Sequence, residues 1–126
     1  MSLIKRSYSF AVQVGAAQGL GYAQELLARL SQTPIPAYNS NTNSTLDSSN
    51  ITFPLDQAFY ADAAHEVSIL NALAALNLTA LSPTPLSPTT NDGTHPFVAS
   101  RIVPFATNLV IQVLECQPSV PTKQIR

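Results

Sequence analysis

Val67 to Leu76 carries Ile69, Leu70, Leu73 and Leu76 at helical spacing, with only Ser68 and Asn71 polar, which predicts a helix with a broad apolar face. Directly before it, Phe59 to Ala64 is apolar except for Asp62 and has the length of a short buried strand. His65 and Glu66 lie between the two runs. That order puts the histidine where a strand ends and a helix begins, the edge at which open α/β sheets bind their ligands. The first N–H groups of the helix would point at the same spot and favour an anion such as phosphate. A histidine beside a glutamate is also a common boundary pair with no chemical role, so the pattern names a candidate and no more.

The rest of the chain alternates between packing elements and polar stretches. Ser7 to Val14 places Tyr8, Phe10, Val12 and Val14 on one side and predicts a strand. Gly15, Gly19 and Gly21 loosen the backbone before a helix best defined from Leu20 to Leu30, where Leu20, Ala23, Leu27 and Leu30 share a face and Glu25 stands one turn before Arg29. Ser31 to Asn50 is rich in Ser, Thr, Asn and Pro and reads as a long surface excursion. Leu81 to Pro96 is a second loop, in which prolines at 83, 85, 88 and 96 exclude continuous helix and interior strand and His95 is expected to be solvated. Arg101 to Phe105 is a short extended piece broken by Pro104, and Leu109 to Leu114, LVIQVL, is the strongest β run. After Gln117 the sequence is polar, contains proline and reads as unfinished. The pattern predicts a single α/β domain over residues 1–126, with two main helices, three to four strands and long polar loops.

Composition changes this picture in one respect. Charged residues make up 10% of the chain, against about 25% in an ordinary soluble domain. Three glycosylation acceptor patterns, at Asn43, Asn50 and Asn77, offer another way to solvate the surface and point to a secreted glycoprotein. Six basic and seven acidic residues without a run of either sign leave no electrostatic footprint for nucleic acid or an anionic membrane. No apolar run approaches the ~20 residues of a membrane span, and the first residues do not read as a signal peptide. The single cysteine, Cys116, excludes an internal disulfide. No Gly-rich phosphate loop, metal-spaced Cys or His cluster, or Gly-x-Ser-x-Gly elbow is present, so no cofactor is expected.

Four stretches in order, GAAQGLGYAQELLARL, NSTLDSSNITFPL, FYADAAHEVSILNALAALNLT and RIVPFATNLVIQVLECQ, resemble consecutive pieces of the fungal histidine acid phosphatases, in particular the phytase branch. The resemblance runs from about Tyr8 to Gln117 and implies the later part of a doubly wound α/β domain of the histidine phosphatase type. It also implies phosphomonoester hydrolysis outside the cell, with phytate or inorganic phosphate as ligand. In the family a histidine of an Arg-His-Gly-x-Arg-x-Pro motif attacks phosphorus, and a later His-Asp pair contacts the phosphoryl group and protonates the leaving oxygen. His65 and Glu66 match that pair. A histidine donor stabilises charge developing on phosphoryl oxygens, and a neighbouring carboxylic acid can deliver the proton.

Departures accompany the match. Glu66 stands where the family has Asp, and its extra methylene moves the acid by about the 1 Å that can cost a hundredfold in rate. Ala63 and Ala64 stand where phytases commonly have Phe and Ser, and Val67 where Asn often follows the acid. Cys116 matches a cysteine that the family places in a disulfide. No Arg-His-Gly-x-Arg-x-Pro occurs in these residues, which predicts that the chain alone is a poor or inactive phosphatase. The competing expectation is a non-catalytic phosphate-binding or interaction protein. A partial sheet would leave bare edges, so association with other chains is expected in either case.

Overall fold

The computed structural model describes residues 13–38, 40–82, 97–115 and the strand at 124–125. Two helices carry the architecture: α1, Gln13–Ser31, and α3, Glu66–Ala75. They pack against one another at a close crossing. Gly19 makes that approach feasible, because a β-carbon built on it would lie 2.0 Å from the carbonyl oxygen of Asn71. Asn71 is itself buried, and its Nδ2 donates to Oε1 of Gln18 at 3.2 Å. The glycines read as loosening the chain before a helix therefore lie inside one, and α1 starts seven residues earlier than its apolar periodicity suggests.

Both helices end by the same device. In α1 the Thr33 N–H donates to the carbonyl of Ala28 at 3.1 Å, with Gln32 at φ 55°. In α3 the Leu78 N–H donates to Leu73 at 3.1 Å and the Asn77 N–H to Ala74 at 3.0 Å, with Asn77 at φ 54°. These are Schellman terminations, in which a residue in the left-handed region turns the chain back over the last carbonyls.

A short helix, α2, Ser44–Asp47, interrupts the polar excursion. Asn43 caps it by accepting the Thr45 N–H at 3.1 Å, and the Thr42 hydroxyl donates to the Asp47 carboxylate. The Asn41 N–H donates to Oε1 of Gln24 at 2.8 Å, which ties this loop to α1. One turn of helix follows at α4, Ala99–Ile102. The strand β1, Val113–Leu114, pairs antiparallel with β2, Gln124–Ile125, Val113 lying opposite Ile125. Leu70, Phe97 and Val103 form the buried core, with Ile69, Ala99 and Ile102 packed against it.

The β expectations fare worse than the helical ones. Phe59 to Ala64 is irregular and, apart from the half-buried Tyr60, exposed rather than a buried strand, with Phe59 81% accessible. A strand needs a neighbour for its N–H and C=O groups, and no strand pairs with this segment among the described residues. Of Leu109 to Leu114 only the last two residues form a strand, and Val110 is 66% accessible. Arg101 and Ile102 close the turn of α4 instead of forming an extended piece, because the Val103 N–H reaches back to Ala99 at 2.8 Å. Gln13 and Val14, read as the end of a strand, are helical, and the remainder of that expectation lies outside the described residues. So do His95 and Cys116. The sheet of the described residues is the β1–β2 pair, and no doubly wound sheet is seen among them. No helix of the described residues is long and apolar enough to cross a membrane.

Candidate active site

His65 is the N-cap of α3, with φ −80° and ψ 159°, and its carbonyl accepts the N–H of Ser68 at 3.0 Å. The side chain makes no capping hydrogen bond, and the residue is exposed. Glu66 follows in the first helical turn and is half-buried. The sequence thus located the junction correctly at its helical side. The start of α3 carries the positive end of the helix dipole toward the same place.

Both residues line a cleft of about 420 Å³. Ala64, His65, Glu66 and Ile69 form one wall, and the turn from Val103 to Thr107 forms the other. The second wall is shaped by Ala106 at φ 58° and by the Thr107 N–H, which donates to Pro104 at 3.2 Å. Ile69 packs on the Leu70–Phe97–Val103 core, so the core holds both walls from behind. A second cleft of about 300 Å³ shares Ala64, Ile69 and Thr107 and adds Tyr22, Asp62, Ser68 and Asn108. The pair therefore faces a space of small-molecule size with polar groups on the adjoining side.

Arg29 of α1 pairs with the segment that leads into His65. Its Nη1 pairs with Oδ2 of Asp62 at 2.6 Å, and its guanidinium lies 5.0 Å from the centre of the Phe53 ring and 5.1 Å from that of Tyr60. The arginine was expected beside Glu25, one turn earlier; the ion pair it forms is with Asp62, 33 residues on. Burial raises the Glu25 carboxyl above its usual range, Asp47 adds to the rise, and Arg29 opposes it. Burial also raises the Tyr22 phenol, with Asp62 adding to the effect. Neither Arg29–Asp62 nor the 103–107 turn follows from pattern reading. The available signal was Asp62 itself, a lone charge in an apolar run.

The sequence matches the histidine phosphatase superfamily, branch 2, over residues 3–126. It is 41% identical to Phytase A of Aspergillus awamori over 107 residues, which cover 82% of this chain and 22% of that protein. It is 35% identical to Phytase A of Emericella nidulans over 121 residues, covering 94% of this chain and 26% of the relative. Phytase A of Aspergillus oryzae is 37% identical over 106 residues, with 82% and 22% covered. The chain thus spans about a quarter of the length of the curated relatives it matches. With a family match across nearly every residue, the chain belongs to branch 2 of the histidine phosphatase superfamily.

Proposed function

We propose that this chain is the later part of the α/β domain of a histidine acid phosphatase acting on phosphomonoesters such as phytate, and that His65 and Glu66 are its contribution to the active site. The observation that carries the reading is their joint position at the start of α3, on one wall of a cleft that also receives the helix N-terminus. In this reading the His65 ring donates to a phosphoryl oxygen and the Glu66 carboxyl gives its proton to the leaving oxygen as the P–O bond breaks. The attacking histidine comes from outside these 126 residues, which contain no Arg-His-Gly-x-Arg-x-Pro. Residues 1–126 act as one unit that completes a doubly wound sheet with the rest of such a domain, and exposed residues such as Phe105 and Val110 promote association when that complement is missing.

Exposure supports the remaining parts of the reading. Asn43, Asn50 and Asn77 are all exposed, as glycan acceptors of an extracellular protein must be. Secretion of the chain followed by enzymatic deglycosylation should lower its mass, and an unchanged mass would remove the glycoprotein reading.

The absence of the nucleophile motif favours a second reading, a non-catalytic phosphate binder. One experiment separates the two. Phosphate release from phytate and from an aryl phosphate is measured at mildly acidic pH for the chain and its His65→Ala variant, alongside calorimetric titration with phosphate. Turnover that is lost in the variant would mean that a working site exists without the missing motif. Binding without turnover, abolished in the variant, supports the site as proposed for a partial chain. Neither binding nor turnover would sink both readings for His65.

A further inference from the structure

We infer that Arg29 is a positioning residue for His65, acting through Asp62, an inference that rests on the phosphate-site reading of His65. His65 is reached through a segment with no strand partner among the described residues, and positions 61–65 are all exposed. An exposed, unpaired segment of this kind does not hold a side chain in one place by its backbone alone.

Arg29 supplies the constraint. It projects from the last turns of α1, which is fixed against α3 at the Gly19–Asn71 crossing. Its side chain is only 15% exposed, and its guanidinium is flanked by the rings of Phe53 and Tyr60. Nε is buried without a hydrogen-bond partner, so this cation is poorly solvated. A poorly solvated charge must keep a counter-charge close, and Asp62 is that group at 2.6 Å. Tyr60 is held in turn by its hydroxyl, which accepts the Gln57 N–H at 3.1 Å. The arginine thus grips the segment at two points, Tyr60 by stacking and Asp62 by charge, five and three residues before His65. The planar group matters, because an ammonium cannot stack on two rings while pairing in one direction.

The test uses the full 126-residue chain labelled for NMR, with Arg29→Met, Asp62→Ala and Arg29→Lys. Backbone order parameters are measured for residues 60–65 and, as a folding control, for residues 70–73. His65 ring signals are then followed during titration with inorganic phosphate. In the wild type residues 60–65 should be as rigid as a helix, with order parameters of about 0.85; in Arg29→Met and Asp62→Ala they should fall below about 0.6 while residues 70–73 keep theirs. Phosphate affinity at His65 should fall about tenfold in both variants and be partly restored in Arg29→Lys. Unchanged order at 60–65 in Asp62→Ala overturns the inference, as does an equal loss at 70–73, which would make the arginine a general stabiliser. If Arg29→Met does not fold, Asp62→Ala decides alone. A wild type whose His65 ring ignores phosphate would sink the phosphate reading, and the order parameters would still decide whether Arg29 fixes the histidine.

Discussion

The α-carbon of Gly19 faces the backbone of Asn71 so closely that a methyl group in place of its hydrogen would lie 2.0 Å from the carbonyl oxygen and 2.4 Å from the carbonyl carbon. Neither helix can yield locally, since both contacts are main chain. Gly19→Ala should therefore destabilise the fold by about 3 kcal/mol or more, at the upper end of overpacking effects. Gly21→Ala is the internal comparison. Its β-carbon would meet the Asn41 carbonyl oxygen at 3.1 Å, and the gain in helix propensity, about 1 kcal/mol, roughly offsets that contact. Urea unfolding of the two variants should separate them clearly.

Leu70 is fully buried at the centre of the core that backs both walls of the cleft. Leu70→Ala should cost about 2–5 kcal/mol through lost burial and the cavity left behind. A cost under about 1 kcal/mol by denaturant titration would mean that the core collapses around the gap.

Gln32 occupies the left-handed position that ends α1. A residue with a β-carbon is strained there by about 1 kcal/mol, and glycine is not. Gln32→Gly should raise stability by up to about 1 kcal/mol, read as a higher midpoint of thermal unfolding. Substitution by valine should lower it, because β-branching disfavours that region further.

Glu25 sets a pH dependence. Its folded carboxyl holds its proton more tightly than the ordinary value of 4.5 allows, chiefly because of burial. The folded state then binds more protons than the unfolded one just above that value, so stability is fully present below it and falls as pH rises through the raised folded value. Glu25→Gln should flatten this decline on the alkaline side of 4.5. Tyr22 acts with the same sign above 10.0, and Tyr22→Phe should remove the loss of stability there.

Ala106 shapes the far wall of the cleft in the left-handed region, at φ 58°. Ala106→Gly should leave global stability within about 1 kcal/mol, relief of strain being offset by the added freedom of the unfolded chain. Ala106→Val should distort the 103–107 turn and weaken phosphate binding at the opposite wall, as measured by calorimetry.

The helical part of this fold was legible in the sequence, and the β part only at Val113–Leu114, within the strongest β run. Ile69, Leu70 and Leu73 announce α3 because a helix satisfies its own hydrogen bonds and needs only one apolar face to be placed. Phe59 to Ala64 carries the composition of a strand, but a strand exists only with a partner, and composition does not report one. His65 and Glu66 could be picked out because they break an apolar pattern at a helix start. Arg29 could not, because its ion pair joins residues 33 positions apart, a distance at which periodicity carries no information. Gly19 misled for a related reason: locally it lowers helix propensity, and only the neighbouring helix shows why it is there.

The end of α3 links two demands on one residue. Asn77 supplies the left-handed turn that stops the helix, and it is also the acceptor position of an Asn-Leu-Thr pattern. Asparagine enters that backbone region with less strain than most residues that carry a β-carbon. Thr79 joins the termination only through its N–H, which donates to the Asn77 carbonyl at 2.8 Å and would survive any substitution except proline. The two defining positions of the acceptor pattern are therefore unequal under mutation: loss of the hydroxyl residue at 79 erases it without disturbing the helix end, whereas drift at 77 is filtered by folding. Across diverging sequences the asparagine should outlast the threonine, and its persistence alone would be a record of backbone geometry rather than of sugar.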